Sequence, residues 1–349
     1  MRFFKDRLAV TGLAAALALM IGSAVFDVSV PREEFRHTHI EAAIQMREYA
    51  DTAKGLVAGY NYHLLERFAA DNGCSVNIRI PRKDENYLDS LAAGRIDLLV
   101  IALTDSIPSG GFIVSGHVDS ISRWVAREGE NALVGRAEEW LEVHLADPGH
   151  RDLRERFLQT YIPAKRARTG KKYTYLSPYD ELIKANADSI HWDWHLLAAV
   201  VYQESKFRTD VRSRRGAEGL MQMMPRTAGH FEVEDPFNPS MNIAAGAKYL
   251  GILERMYYKV TSDPVERKKY TLAAYNAGQG RIQDCINLAQ LRGRDISRWE
   301  ETASVIPEMN DDAILQVDTV KLGKFKGVET LEYVESVLSL YESFIKICP

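Results

Sequence analysis

The sequence contains only three cysteines, Cys74, Cys285 and Cys348, among its 349 residues. That number is too small for a disulfide framework, and no cysteine and histidine spacing resembles a zinc site. Basic residues are not in excess either, because 44 lysines and arginines face 48 aspartates and glutamates, which gives a net charge of −4. The chain therefore lacks the charge signature of a nucleic-acid-binding protein. It also shows no internal repeat and no low-complexity segment, so function must be inferred from local motifs.

A long apolar run occurs at the start of the chain, from Leu8 to Phe26, directly after Arg2, Lys5 and Arg7. Its length lies between that of a signal-peptide core and that of a spanning helix. We expect residues 1–30 to be either a cleaved signal or a retained amino-terminal membrane anchor, with the rest of the chain exported. No cysteine follows the run, so lipid modification there is not expected.

Export would place the cysteines in an oxidising compartment, where disulfides persist. Cys285 and Cys348 fall in the same half of the chain. We expect these two to form a disulfide, with Cys74 as a small buried apolar residue.

Residues 31–161 alternate helical and extended patterns, which indicates a small α/β domain with a largely parallel sheet. About 120 residues are too few for two lobes of usual size, so a single lobe is expected. The predicted strands are Ser75–Ile80, Ile96–Leu103 and, less clearly marked, Ser122–Arg127; the predicted helices are Gly55–Ala70, Glu85–Ala93, Ala132–His144 and Arg151–Thr160.

Residues 162–176 break this pattern with five basic residues in ten, "PAKRARTGKK", and are interpreted as a linker. From Ser177 onward strand patterns largely stop, and residues 177–349 are predicted to form an all-α domain. Its helices are predicted over Asp193–Phe207, Pro225–Phe231, Asn242–Tyr258, Arg267–Ala277, Gly280–Arg292 and Glu329–Ile347.

The helix predicted over Asp193–Phe207 carries a carboxylate on its apolar side. Steps of three and four residues connect Leu197, Val200, Val201, Glu204 and Phe207. Burial and the negative end of the helix dipole both favour the protonated form of Glu204, which a general acid requires. This helix alone fits a glutamate that reaches solvent at least as well, so the choice depends on the motifs that follow.

Three further segments accompany this glutamate. In "GAEGLMQMMPRTA", Gly216 and Gly219 permit tight turns near a ligand, and Gln222 offers an amide that can hydrogen-bond a sugar. In "AAYNAGQGRI", Tyr275 and Asn276 lie at a junction between two helices. In "GVETLEYV", Glu329 and Tyr333 lie one turn apart. Taken singly, each segment also fits a structural role: methionine-rich core, helix cap or ordinary helix surface.

In order and spacing, "YQESKF", "GAEGLMQMMPRTA", "NIAAGAKYL", "AAYNAGQGRI" and "ETLEYV" resemble family 1 lytic transglycosylases, over about Tyr175 to Tyr341. The resemblance implies a goose-lysozyme-like helical fold. The preceding half resembles a family 3 solute-binding domain in "HLLERFAADNG", "LAAGRIDLLVIALT" and "WVAR", with the second lobe missing. The expected fold is thus α+β with two domains.

The resemblance implies that Glu204 is the single catalytic acid/base. It further implies that substrate is bound by Ser205, Gln222, Tyr275, Asn276, Glu329 and Tyr333. The family often has a basic residue after the glutamate–threonine pair, where this sequence has Leu331. That departure concerns a secondary interaction of Glu329 and leaves the assignment of Glu204 unchanged.

The implied reaction cleaves the bond between N-acetylmuramic acid and N-acetylglucosamine and leaves a 1,6-anhydromuramyl end, with neither metal nor cofactor. The expected partners are peptidoglycan strands, a muropeptide or cell-wall component at the first domain, and a membrane. The resemblance implies that the protein lies in the periplasm and that this membrane is the outer membrane. Nucleic acid is not an expected partner. The alternatives are a muramidase-type hydrolase, a non-catalytic peptidoglycan-binding scaffold and a solute-binding protein.

Overall fold

The computed structural model describes residues 35–46, 56–80, 85–118, 121–158 and 172–349. The predicted export segment at residues 1–30 and residues 162–171 of the predicted linker lie outside the described residues. Within these ranges, no helix combines the length and apolar composition that a membrane crossing needs.

The first part of the chain is an α/β layer. Its elements are β1 (His39–Gln45), α1 (Val57–Asp71), β2 (Ser75–Arg79), α2 (Tyr87–Ala92), β3 (Leu98–Ala102), β4 (Phe112–His117), β5 (Ser122–Arg127), α3 (Asn131–Ala146) and α4 (Pro148–Leu158). The five strands form one sheet in the order β2-β1-β3-β5-β4. The predicted single α/β lobe is confirmed.

The sheet is mixed, so the prediction of a largely parallel sheet is wrong. Strand β1 pairs parallel with β2 and β3, but β5 pairs antiparallel with both β3 and β4. Strands β4 and β5 follow each other closely along the chain, and a short connection can only join antiparallel neighbours. The three predicted strands exist, whereas β1 and β4 were not predicted.

Helices cover both faces of this sheet, as the alternation of side chains along β3 requires. All five residues of β3 are buried. Leu99 and Ile101 pack on one face with Leu91 of α2. Leu98 and Val100 belong to the larger core on the other face, where Trp124 of β5 packs edge-on against Phe68 of α1.

The second part of the chain is helical, as predicted. It contains α5 (Asp180–Ser189), α6 (Trp194–Ser205), α7 (Pro225–His230), α8 (Pro239–Met256), α9 (Pro264–Ala277), α10 (Gln279–Leu291), α11 (Trp299–Ala303) and α12 (Val328–Ile347), with short 3₁₀ turns at Tyr257–Lys259, Ile306–Asn310 and Asp312–Gln316. Asp193, Asn238 and Asp263 begin α6, α8 and α9 by accepting a backbone N–H with the side chain. Together with the α/β layer, these helices confirm the predicted fold class.

Helix α1 joins the two parts of the chain. The Tyr62 hydroxyl donates to Asp235 Oδ2 over 2.6 Å, and Asn238 Nδ2 donates to Glu66 Oε1 over 2.8 Å. Burial raises the pKa of Glu66 to about 7 and also raises the pKa of Asp235. Apolar residues of both parts belong to one hydrophobic cluster. The helical part is therefore held firmly against α1, while the predicted domain boundaries stay a prediction.

Candidate active site

Helix α6 carries Glu204 in its last turn. The six residues from Leu196 to Val201 are all buried, so the helix lies inside the helical part instead of presenting one apolar stripe to it. The helix ends because Lys206 and Phe207 both adopt left-handed backbone conformations, with φ of 57° and 62°. This conformation is costly for residues other than glycine, and consecutive examples near a candidate catalytic group are typical of functional sites.

The surroundings of Glu204 favour its protonated form. Burial raises the pKa of Glu204 to about 7, although a hydrogen bond from Tyr333 and the nearby charge of Lys206 act in the opposite direction. The Tyr333 hydroxyl donates to Glu204 Oε1 over 2.6 Å, which fixes the orientation of the carboxyl group. A carboxyl group with a pKa near neutrality is suited both to donate and to accept a proton.

Two tyrosines accompany Glu204. Tyr333 is buried on α12, and Tyr275 is half-buried near the end of α9. The pKa values of both phenols are raised, first by burial and then by the charge of Glu204. The structure thus brings together Glu204, Tyr275, which follows it 71 positions later in the sequence, and Tyr333, which follows Tyr275 after another 58. Helices α6, α9 and α12 each contribute one side chain to this site.

The loop between α6 and α7 forms a further side of the site. Glu218 makes isolated antiparallel bridges with Arg212 and with Met223, which fold the segment into a tight double turn. Gly219 has φ of +77°, and an added Cβ atom there would collide with Pro236 O and with the Asn242 side chain. Only glycine therefore fits this position without displacement of the loop.

Asn242 of α8 holds this loop in place. Its Oδ1 accepts from Met221 N over 2.7 Å, and its Nδ2 donates to Pro236 O over 2.7 Å and to Glu218 O over 3.2 Å. The Tyr275 hydroxyl donates to Met221 O over 2.7 Å. The backbone of Met221 is thus fixed from both sides, and the position of Tyr275 depends on the loop.

Gln222 follows in a left-handed conformation, with φ of 47°. Its Nε2 donates to Val211 O over 3.0 Å and to Gly219 O over 2.9 Å. Two carbonyl acceptors fix which end of the amide is the nitrogen. Since the nitrogen is engaged within the loop, the amide oxygen is the atom that Gln222 can offer to a ligand hydroxyl or N–H group.

The other three predicted residues occupy different positions. Ser205 is 3% exposed, and its hydroxyl donates to Val201 O over 3.0 Å within its own helix. Asn276 is exposed and accepts at Oδ1 from Thr330 Oγ1 over 2.9 Å, which ties α9 to the start of α12. Glu329 is exposed in the first turn of α12. Substrate contacts of these three residues stay predictions.

Three residues that serve the site were not identified from the sequence. Lys206 acts on the pKa of Glu204, Asn242 holds the loop, and the ring of Tyr249 lies 5.6 Å from that of Tyr275. The spacing does not predict the role of Lys206, because residues two apart on a helix do not face each other; its charge acts on Glu204 at the left-handed end of α6. Nothing local distinguishes Asn242 or Tyr249 in the segment "NIAAGAKYL".

The predicted disulfide is not formed: Cys285 and Cys348 are both thiols and both buried. Cys285 of α10 lies near Tyr257 and Tyr270, whereas the Cys348 carbonyl accepts from His195 at the start of α6. The two cysteines therefore have neighbours on different elements of the helical part. Among the described side chains, no group of three or more histidines, cysteines, aspartates or glutamates is arranged to hold a metal ion.

The helical part of the chain, which contains this site, is similar to known proteins. Residues 181–296 match the family model of the Transglycosylase SLT domain. The sequence is 35% identical over 170 residues to a protein named membrane-bound lytic murein transglycosylase F of Desulfosudis oleivorans, which covers 49% of this chain and 37% of that protein. A protein of the same name from Maricaulis maris is 37% identical over 163 residues, which covers 46% of this chain and 35% of that protein.

The chain spans little more than a third of the length of these relatives. Among solved structures, the 70 kDa soluble lytic transglycosylase of Escherichia coli matches with a TM-score of 0.32 and 26% identity, over 49% of this chain and 24% of that chain. The resemblance of residues 31–161 to a solute-binding domain stays a prediction. The resemblance to lytic transglycosylases is confirmed for the helical part of the chain.

Proposed function

We propose that the protein is a peptidoglycan lytic transglycosylase that uses Glu204 as its single acid/base. The observation that carries this proposal is the environment of Glu204: it lies at the end of the buried helix α6, Tyr333 donates to its Oε1 over 2.6 Å, and burial raises its pKa to about 7. Ordinary glycosidases place two carboxyl groups about 5–10 Å apart across the scissile bond. The proposed reaction needs one carboxyl group, and Glu204 has the hydrogen bond and the raised pKa that this role requires.

In the proposed first step, protonated Glu204 gives its proton to the glycosidic oxygen between N-acetylmuramic acid and N-acetylglucosamine. The bond from the anomeric carbon to that oxygen breaks, and the N-acetylglucosamine leaves as an alcohol. The resulting carboxylate then takes the proton of the muramyl 6-hydroxyl, whose oxygen bonds to the same anomeric carbon. Glu204 regains its proton, and no water is consumed. The attack is intramolecular, so it benefits from proximity.

Each neighbouring group has a role in this scheme. The 2.6 Å hydrogen bond from Tyr333 aims the carboxyl group of Glu204 and stabilises it while it is ionised. Tyr275 offers its ring face to a sugar, because its hydroxyl is already engaged with Met221 O. The amide oxygen of Gln222 accepts from a sugar hydroxyl or N-acetyl N–H group. We assign the exposed residues Asn276 and Glu329 to the outer wall of the same groove, and the buried Ser205 to the support of that wall from within α6.

The product decides between transglycosylation and hydrolysis. We expect digestion of purified sacculi to yield fragments with 1,6-anhydromuramyl ends, lighter by one water than muramidase products, as measured by mass spectrometry. The expectation rests on Glu204 as the group with a pKa near neutrality, which can both give and take the proton. Reducing-end muramic acid as the main product would assign the protein to the hydrolases. Sacculi that remain undigested would favour the alternative of a non-catalytic peptidoglycan-binding scaffold.

For location, we propose an exported, periplasmic, membrane-associated enzyme. Support comes from the basic and apolar pattern at Arg2 to Phe26 and from the word membrane-bound in the names of the relatives. The predicted outer-membrane location is a finer part of the same proposal. Fractionation of cells into soluble, inner-membrane and outer-membrane fractions, with detection of the protein in each, tests it.

We also propose that the α/β layer supports the catalytic groove. Tyr62 of α1 holds Asp235, the next residue Pro236 accepts from Asn242, and Asn242 holds Met221, which fixes Tyr275. Apart from the peptide bond between Asp235 and Pro236, every link in this chain is a hydrogen bond of 2.6–2.7 Å. A muropeptide or another cell-wall component bound to the α/β layer would act on the site along this path.

Tyr62→Phe tests this support. The variant removes the bond to Asp235, and we expect kcat/KM on sacculi to fall about two- to fivefold, the effect of about 0.5–1 kcal/mol of coupling. Tyr60→Phe is the matched control, because it removes a buried hydroxyl of the same helix that lies 2.9 Å from His150 Nε2, inside the α/β layer. Equal kcat/KM for the two variants at equal folded fraction would contradict the proposal.

A further inference from the structure

An open pocket lies between α6 and α12, next to the catalytic residues. Its volume is about 430 Å³, within the range of small-ligand sites. The walls are mostly polar, and both helices also carry the catalytic pair Glu204 and Tyr333. The polar lining comprises Tyr202, Gln203, Lys206, Glu335, Ser336 and Ser339.

Lys206 is the basic residue that lines this pocket, and its position is well defined. Its Nζ lies 4.5 Å from the centroid of the Tyr202 ring and 3.5 Å from Gln203 Oε1. The left-handed backbone at Lys206 turns the chain at the end of α6, beside Glu204. A cation held at this place, with hydroxyl groups opposite, matches a carboxylate ligand.

The pocket also contains a carboxylate. Glu335 is exposed on α12, next to Ser336 in the sequence. A ligand that carries a carboxylate and an amine would satisfy Lys206 and Glu335 together. Neutral sugars of the glycan strand would offer neither side chain an oppositely charged group.

We propose that this pocket binds the peptide attached to the muramic acid residue, with Lys206 as the group that recognises a peptide carboxylate. The proposal rests on the proposed function, because it assigns the pocket to the same substrate. It makes the enzyme selective for peptide-bearing over peptide-free glycan strands. Ser336 and Ser339 donate hydrogen bonds to the carboxylate, and Glu335 receives the peptide amine.

Peptide binding would also act on the catalytic acid. The groups that lower the pKa of Glu204 are Tyr333 from α12, through its hydrogen bond, and Lys206 at the end of α6; Tyr275 from α9 is a neutral phenol whose own pKa is raised by burial and by the charge of Glu204. The charge of Lys206 lowers the pKa of Glu204. A carboxylate bound to Lys206 offsets that charge, so the bound peptide keeps Glu204 protonated to higher pH.

The test compares two substrates, peptide-bearing strands and strands stripped of peptide by an amidase. Lys206→Gln is expected to lower the ratio of kcat/KM for the two substrates about tenfold, the effect of losing one charged hydrogen bond. Lys206→Arg is expected to retain the preference, and Ser336→Ala is expected to lower it by a smaller factor. Lys184→Gln is the matched control, because Lys184 also stacks on an aromatic ring, that of Trp194, at the other end of α6.

The pH profile supplies a second readout, which a merely structural role would not change. In the wild type, the decline of kcat at high pH is expected to occur at higher pH for peptide-bearing strands than for stripped strands. In Lys206→Gln the two profiles should coincide. Equal losses on both substrates, or a loss reproduced by Lys184→Gln, would overturn the assignment of the pocket. Absence of anhydromuramyl products from both substrates with the wild type would instead overturn the proposed function.

Discussion

Glu204→Gln is expected to lower kcat on sacculi by about 100- to 10,000-fold, the usual contribution of a general acid/base. An amide has nearly the same shape as the carboxyl group, but it cannot give a proton to the glycosidic oxygen or take one from the 6-hydroxyl. Its Oε1 can still accept from the Tyr333 hydroxyl, so the local structure should survive. The measurement is release of soluble muropeptides by purified protein of verified fold.

Glu254→Gln is the matched control for this variant. Glu254 is 8% exposed, and its Oε2 accepts from Trp192 Nε1 over 2.6 Å, so it is also a buried glutamate bonded to an aromatic residue. Its ion-pair partners are Arg267 and Lys268, away from the site. We expect this variant to lose stability and to keep its turnover. Near-wild-type digestion by folded Glu204→Gln would remove Glu204 from the mechanism.

The raised pKa of Glu204 predicts two effects of pH. One is on the activity of the wild type, and the other is on the stability of Glu204→Gln relative to the wild type. The general acid must be protonated in the free enzyme, so the kcat/KM of the wild type should fall as pH rises through about 7. Stability has the same sign, because the folded state binds this proton more tightly than the unfolded chain, whose pKa is near 4.5. The associated stability is lost between pH 4.5 and 7, and above that range Glu204→Gln should be more stable than the wild type by on the order of 2 kcal/mol.

The helical half of the fold was predictable from the sequence because its signals are local. Regular apolar spacing predicted helices over Asp193–Phe207 and Arg267–Ala277, and the structure contains them within a few residues, at Trp194–Ser205 and Pro264–Ala277. The sheet was less predictable, because strand direction depends on which strands pair. The β4 segment "FIVSGH" lies between glycines and polar residues, and only its pairing with β5 makes it a strand.

The features of the candidate site also differ in how far the sequence could predict them. The apolar pattern alone left the role of Glu204 open, and the assignment came from the resemblance of the motifs; the structure adds a hydrogen bond from Tyr333, 129 residues away. The contribution of Lys206 depends on a left-handed cap that no propensity predicts. The disulfide prediction failed because the presence of two cysteines in the same half of the chain does not determine the distance between their thiols. Long-range packing decided each of these outcomes.

Gly219→Ala is expected to have the second large effect, on stability and on activity together. Gly219 and Gly216 both have left-handed backbones, with φ of +77° and +86°. Alanine in this conformation costs about 1 kcal/mol at either position. At Gly219 the added methyl group also collides with Pro236 O and with the Asn242 side chain, whereas at Gly216 nothing lies within 4 Å of it.

The pair of variants therefore separates backbone strain from collision. We expect Gly216→Ala to lower the free energy of unfolding by about 1 kcal/mol and Gly219→Ala to lower it by about 3 kcal/mol or more, since overpacking typically adds 1–3 kcal/mol. Urea denaturation measures both values. Relief of the collision must move the loop away from Asn242, which displaces Met221 and, through its carbonyl, Tyr275. Folded Gly219→Ala should then have lower kcat/KM than folded Gly216→Ala, and equal values for the two variants would show that the contact between this loop and α8 does not shape the catalytic groove.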